Sequence, residues 1–252
     1  MDMNIALIGR GAMGREVAAA ALSRGHTIIA QFSSRSPLPG NLVPVIQSGT
    51  IDCCIDVSVP SAVLHHVSVS STAGIPLVIG TTGWQEMKEE VLETARKRNG
   101  TLIYGNNFSV GAQMFFAVVR AAARLMNDFP EYDTAIDETH HVRKKDAPSG
   151  TALTLAQILI RELDRKKSIL APVTGMILPE QIGISSTRIG NASGTHTVRF
   201  RSAADEIELV HRAFDRSGFA AGAVLAAELT QRYPGIHAFD ELIASHPFTH
   251  HS

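Results

Sequence analysis

The sequence predicts an α/β protein, with a doubly wound parallel sheet followed by a smaller α+β portion. Three observations carry this. Short β-type runs alternate with helical ones over residues 4–104, a glycine-rich loop separates the first strand from the first helix, and the rhythm changes after Asn107. Strands alternating with helices form parallel sheets, because each crossover helix returns the chain to the same end of the sheet.

The elements follow in order. Residues 4–8, apolar from Ile5 onward, read as a buried strand, and residues 15–24 form a helix closed by Gly25. Residues 27–32, 53–57, 77–79 and 101–104 are the next strands. Residues 84–98 are helical, with a Glu-rich start and a Lys/Arg-rich end that complement the helix dipole. His65 and His66 fall on another helix face and are assigned no chemistry. Beyond Asn107, residues 110–126 and 151–167 read as helices and 133–139 as a strand. Residues 195–200 and 206–211 alternate apolar and polar as half-exposed strands do, so their sheet needs a second surface on its other face. Residues 218–233, rich in Ala and Leu, make a final helix.

Composition narrows the function. At 252 residues the chain is one large domain or two modest ones. Its 23 Lys plus Arg against 24 Asp plus Glu leave a net charge of -1, with no footprint for nucleic acid. No apolar stretch approaches the ~20 residues of a membrane span, and the start lacks a signal-peptide pattern. Cys53 and Cys54 are neighbours on a predicted strand and point to opposite faces, so they are expected reduced and buried, as suits a cytoplasmic protein. Eleven histidines are the unusual count, partly paired as His65-His66, His140-His141 and His250-His251.

Gly9-Arg10-Gly11-Ala12-Met13-Gly14 is a GxGxxG between strand and helix, the Rossmann-type loop on which a dinucleotide pyrophosphate rests against a helix N-terminus. Sites for NADH usually place Asp or Glu at the end of the second strand. Here no acidic residue occurs between Glu16 and Asp52, and that strand ends Ser33-Ser34-Arg35-Ser36. Hydroxyls and a guanidinium suit a 2′-phosphate, which favours NADPH and leaves NADH use open; the plain alternative makes Arg35 a solvated loop charge. Gly80-Thr81-Thr82-Gly83 also joins a strand to a helix and is read both as a lining of the nicotinamide side and as a helix cap.

The segment from Glu138 to Ala152 runs from a strand ending in His140-His141 through a basic loop to Pro148-Ser149-Gly150-Thr151 at a helix start. Gly150 and Thr151 with the helix dipole make an anion site, and His141 and Lys144 add positive charge, which suits a small dicarboxylate. His140 is then placed to deliver a proton near neutral pH. A metal held by His140, His141 and Asp137 or Glu138 is disfavoured, since adjacent strand residues diverge, and no metal is expected.

This segment, Glu138-x-His140-His141-x-x-Lys144-x-Asp146-Ala147-Pro148-Ser149-Gly150-Thr151-Ala152, resembles the signature of the dihydrodipicolinate (4-hydroxy-tetrahydrodipicolinate) reductases. The likeness extends through the glycine loop, Gly80-Thr81-Thr82-Gly83, Asn107-Phe108-Ser109-Val110-Gly111 and Gly194-Thr195-His196. It implies reduction of a cyclic imine dicarboxylate in lysine and diaminopimelate biosynthesis, with His140 as proton donor and Lys144 catalytic and carboxylate-binding. His141, Gly150 and Thr151 would hold substrate carboxylates. Gly9 to Gly14, Gly80, Thr81, Thr82, Gly105, Asn106, Asn107 and Phe108 would line the cofactor, with Ser34 and Arg35 at its 2′-phosphate.

It also implies a cofactor domain of residues 1–107 and 219–252, a substrate and oligomerisation domain of 108–218, and a homotetramer. Two departures stand out: no acidic residue lies at the Ser33-Ser34 corner, and Val57 replaces an aromatic common in relatives. A dehydrogenase of amino-acid semialdehydes and a non-enzymatic dinucleotide sensor are the competing readings; the basic loop opposes the first, and intact His140, His141 and Lys144 oppose the second.

Overall fold

The computed structural model describes residues 2–40 and 50–245, so His250-His251 lie outside the described residues. The chain divides into two compact units, Met1–Val110 with Arg216–Ser252, and Gly111–Asp215. Among the described residues no helix is long and apolar enough to cross a membrane.

In the first unit β1 (Asn4–Ile8), β2 (Thr27–Phe32), β3 (Cys53–Asp56), β4 (Leu77–Ile79), β5 (Leu102–Tyr104) and β11 (Ile236–Ala238) form a parallel sheet in the order β11-β5-β4-β3-β1-β2. Alternation along β1 divides its side chains between two cores. Ile5 and Leu7 pack with Val17 and Ala21 of α1 (Ala12–Ser23) and with Ala223, Val224 and Ala227 of α6 (Ser217–Thr230). Ala6 and Ile8 pack on the other face with Val63 and Val67 of α2 (Val63–Thr72) and Val91 of α3 (Lys88–Lys97). Cys53 and Cys54 follow the same division, one thiol in each core, both free and buried. Burial pushes both thiols up, Cys54 to about 12, so neither offers a thiolate at neutral pH.

The C-terminal segment joins this unit through an alanine-rich face. Gly222 in α6 allows the closest approach, since a Cβ there would lie 1.6 Å from the Phe108 carbonyl oxygen. His26, buried, accepts from the Met3 amide at 3.2 Å and meets Glu228 at 2.9 Å, and Arg24 grips the same carboxylate.

The second unit packs α4 (Val110–Asn127) and α5 (Gly150–Glu162) on a mixed sheet of β6 (Asp133–His140), β7 (Ser168–Leu170), β8 (Gln181–Arg188), β9 (Gly194–Arg201) and β10 (Glu206–Ala213), ordered β10-β9-β6-β8-β7. Strand β6 runs antiparallel to β9 and parallel to β8. Ile136, Val198, Ile182 and Ile184 bury against Phe116, Val119, Leu155 and Leu159 of the helices. The opposite face carries Asp137 and Glu208, both bridged by Arg199, and an exposed Val210.

Several expectations need correction. The predicted helix at 84–98 is a 3-10 turn at Gln85–Met87 followed by α3. The one at 151–167 ends at Glu162, because Leu163 turns extended and buried Lys166 folds back. The Lys166 amine donates to the Asp133 carboxylate and to the carbonyls of Pro179 and Gln181, which anchors the chain entering β7. Strands β7, β8 and β11 and α7 (Phe239–Ser245) had no expectation at all.

Candidate active site

Strand β6 builds the centre of the second unit's site. Glu138 and His140 are two residues apart and share its buried face, at 1% and 7% exposure. Antiparallel pairing sets His196 of β9 directly opposite Glu138, while the parallel partner β8 brings Ser186 beside Glu138 and Arg188 beside His140.

The Glu138 carboxylate is the hub. It accepts from Ser186 Oγ at 2.7 Å, Arg188 Nη2 at 3.0 Å and the Ser149 amide at 3.1 Å. Burial opposes its ionisation, but these donors prevail and hold the carboxyl below its usual range. Ser149 is the N-cap of α5, accepting from the Ala152 amide at 3.2 Å, and its hydroxyl also meets His196 Nε2 at 3.1 Å. The Glu138 network thus sets where the helix begins, and with it Gly150 and Thr151 in its first turn.

His140 lies edge-on to His196, ring centres 5.1 Å apart, with Nδ1 3.4 Å from Glu138 Oε2 but outside hydrogen-bond geometry. Its Nε2 lies against Gly194, where a Cβ would sit 3.1 Å away; that glycine has φ +153. Burial lowers the His140 pKa, Glu138 counters it, and Lys144 and Arg188 lower it further. His196 is held down to about 4, by burial first and His140 next, so it is neutral at physiological pH. Lys144, in the loop after β6, places its amine 2.9 Å from both Asp146 carboxylate oxygens. His141 is half-buried beside it.

The metal set disfavoured above, His140 and His141 with Asp137 or Glu138, is not the group that converges; among the described residues Glu138, His140 and His196 bring an acid and two imidazoles within 4.8 Å of one another. Ser149, Ser186 and Arg188 already engage the Glu138 oxygens and His196 Nε2, which makes the cluster a hydrogen-bonded support. Sequence reasoning passed over Ser149, Ser186, Arg188 and His196 as site residues. His196 had a signal, since its alternation with Val198 and Phe200 placed it on a buried face; β8 had none beyond Ile182 and Ile184.

In the first unit the glycine loop fits a dinucleotide. Gly9 has φ +122 with Val57 O where a Cβ would be, and a Cβ at Gly14 would lie 2.1 Å from Gly9 O. Gly11 caps α1 with no side-chain hydrogen bond and open space beside it, which leaves room for a phosphate. Arg10 donates to the Gln31 carbonyl at 3.2 Å, near the end of β2, while Ala12 is exposed and Met13 packs partly inward. Ser33 and Ser36 close a tight turn by mutual backbone bonds of 2.8 and 3.0 Å, with Ser34 and Arg35 exposed at its tip. Gly80 and buried Thr81 follow β4, with Thr82 exposed. Gly105 packs on Phe108 and Phe239, Asn106 accepts from Gln85, and Asn107 Oδ1 accepts from the Ser109 amide.

A family model described as dihydrodipicolinate reductase, N-terminus, matches residues 3–108, and one described as its C-terminus matches residues 111–243. The chain belongs to the dihydrodipicolinate reductase family. The 4-hydroxy-tetrahydrodipicolinate reductase of Christiangramia forsetii is 36% identical over 246 residues, 96% of this chain and 98% of that one. Its counterpart from Methanoregula boonei is 38% identical over 193 residues, 76% of this chain and 74% of that protein. A dipicolinate-bound dihydrodipicolinate reductase from Paenisporosarcina sp. TG-14 shares the fold, with a TM-score of 0.77 at 23% identity over 96% of this chain and all (100%) of that one. A myo-inositol dehydrogenase from Corynebacterium glutamicum shares it more distantly, with a TM-score of 0.58 at 13% identity over 97% of this chain and 93% of that one. The reductase family's two matched segments meet between residues 108 and 111, where the first unit ends at Val110.

Proposed function

We propose that the protein reduces 4-hydroxy-tetrahydrodipicolinate to tetrahydrodipicolinate in diaminopimelate and lysine biosynthesis, with hydride from NADPH and a proton from His140. As a member of its family the chain is an NAD(P)H-dependent oxidoreductase. The observation that carries the finer reading is the end of β6, where His140 lies 3.4 Å from buried Glu138, the same carboxylate accepts from the amide of Ser149 at the N-cap of α5, and Lys144 sits in the loop between strand and helix.

NADPH, when bound, supplies the hydride to the conjugated C=C–C=N system that remains after the substrate loses water. His140 then delivers its proton to the neighbouring atom on which electron density collects. Lys144 offsets the substrate's negative charge, and Gly150 and Thr151 offer the positive end of the α5 dipole to a carboxylate, with His141 alongside. Gly9, Gly11 and Gly14 admit the pyrophosphate, and the Gly80–Thr81 turn with Gly105 to Phe108 lines the remaining length of the cofactor. Ser34 and Arg35 take the 2′-phosphate at the Ser33–Ser36 turn.

The decisive assay is oxidation of each reduced cofactor with freshly synthesised substrate. NADPH is expected to be preferred, and the ratio of kcat/KM between cofactors should shrink roughly tenfold in Arg35→Ala, the contribution of one charge-assisted phosphate contact. A strong preference for NADH in the unmodified protein would overturn the assignment of Ser34 and Arg35; no oxidation of either cofactor would overturn the function. The open face of the second sheet, with Arg199, Glu208 and exposed Val210, supports assembly with further copies of the chain, which we take to be a homotetramer. Sedimentation velocity checks the assembly, and a monomer at micromolar concentration would remove it.

A further inference from the structure

The chemistry above makes no use of a buried aspartate–histidine pair at the carboxyl end of β3 in the first sheet. Asp56 ends β3 with its side chain inaccessible, and His66 reaches it from α2, itself only 6% exposed. A buried carboxylate must be satisfied, and this one is. Asp56 Oδ1 accepts from the Ser58 amide at 2.9 Å, Ser58 Oγ at 2.6 Å and Thr81 Oγ1 at 2.9 Å. Oδ2 accepts from His66 Nδ1 at 2.8 Å. The Asp56 carbonyl also accepts from the amides of Gly80 and Thr81, at 2.8 and 3.0 Å. One residue therefore ties the turn after β3 to the turn after β4.

Those turns lie where a ligand is expected. The strand order reverses between β1, which leads to β2 on one side, and β3 on the other. In open α/β sheets ligands bind outside the carboxyl ends of the strands at such a point. The turn after β3 also abuts the glycine loop, since a Cβ at Gly9 would lie 2.5 Å from Val57 O, and one at Gly80 would lie 3.1 Å from Val57 Cγ1. With the adenosine corner after β2 and the pyrophosphate on the loop after β1, an extended dinucleotide lays its second half over β3 and β4. A buried, hydrogen-bonded polar pair contributes little net stability alone, so its placement here asks for another role.

We propose that Asp56 and His66 are a positioning pair for the nicotinamide half of the cofactor. They touch no part of it, but hold the Val57–Ser58 and Gly80–Thr81 turns in the geometry that receives it. This rests on the dinucleotide reading of the first unit. His66 acts through Asp56 and Asp56 acts through the two turns.

The test titrates NADPH and, separately, adenosine 2′,5′-bisphosphate into substrate-free protein by calorimetry, with Tm measured on the same samples. Asp56→Asn is expected to raise the Kd for NADPH roughly tenfold, the contribution of one hydrogen bond to a charged group, while the bisphosphate, which lacks the nicotinamide half, binds within twofold of the unmodified protein. His66→Phe removes the donor and should produce the same split, whereas His66→Gln, which keeps an N–H at similar reach, should restore most NADPH affinity. These single changes on opposite partners keep the test open if one variant folds poorly. Equal weakening of both ligands in step with a lower Tm, or unchanged NADPH binding in both Asp56→Asn and His66→Phe, would overturn the pair's role alone. Failure of the unmodified protein to bind NADPH would overturn the dinucleotide reading and the pair with it.

Discussion

Replacing His140 with Gln lowers kcat by about a hundredfold or more while the Kd for NADPH stays within error; that is the expected result if His140 delivers the proton. Glutamine fills much of the imidazole's volume beside Gly194 and His196 and keeps an N–H, but it has no proton to release. The surrounding groups also set the pH dependence. Burial lowers the His140 pKa below its ordinary 6.5, Glu138 opposes this, and Lys144 and Arg188 reinforce it. The free protein therefore carries mostly neutral His140 at neutral pH, and kcat/KM, which reports the free enzyme, should fall as pH rises through a value below 6.5. A bound dicarboxylate adds negative charge and favours the protonated ring, so the corresponding limb of kcat should lie at higher pH. Loss of that limb in His140→Gln ties it to this residue. Turnover equal to that of the unmodified protein would end the assignment.

Lys144→Ala is expected to damage both constants, with kcat lowered and substrate KM raised by about tenfold or more each. The amine now lies 2.9 Å from both oxygens of Asp146, whose own burial would raise its pKa but whose bond to Lys144 holds it below the usual carboxylate range. Deleting the amine removes a cation and leaves the Asp146 charge facing a substrate that is itself negative, so binding suffers twice. Lys144→Arg keeps the charge and should recover much of KM but less of kcat, because a planar guanidinium does not reproduce a point charge at the same place. Stability should hardly change, since Asp146 is 58% exposed and solvent-screened pairs contribute about 1 kcal/mol or less. Steady-state kinetics alongside thermal unfolding separates these outcomes. A variant altered only in stability would remove Lys144 from the site.

Much of the fold was legible because its signals are local. The apolar runs of β1 and β3, the glycines around α1 and the charged ends of α3 all act over a few residues. The helix predicted at 151–167 stops at Glu162, and three acceptors from distant segments, which no local signal announces, pull Lys166 into the core. Strand β8 has little local signal, since past Ile184 its residues Ser185, Ser186, Thr187 and Arg188 carry no apolar alternation. Two of those residues, Ser186 and Arg188, are among the donors that satisfy Glu138.

By itself the sequence determined the dinucleotide loop, the run from Glu138 to Ala152 and the identity of the groups able to move a proton or meet an anion. Covalent spacing and backbone period suffice for that, since His140, Lys144 and Ser149 arrive on one strand, one loop and one helix cap. Only the tertiary structure decided what stands behind them. Register places His196 opposite Glu138 and Arg188 beside His140, and the same kind of long-range packing brings His66 onto Asp56. The physical reason is that register is selected by burying whole strand faces against helices and satisfying every enclosed polar group together, a condition no short segment can express alone.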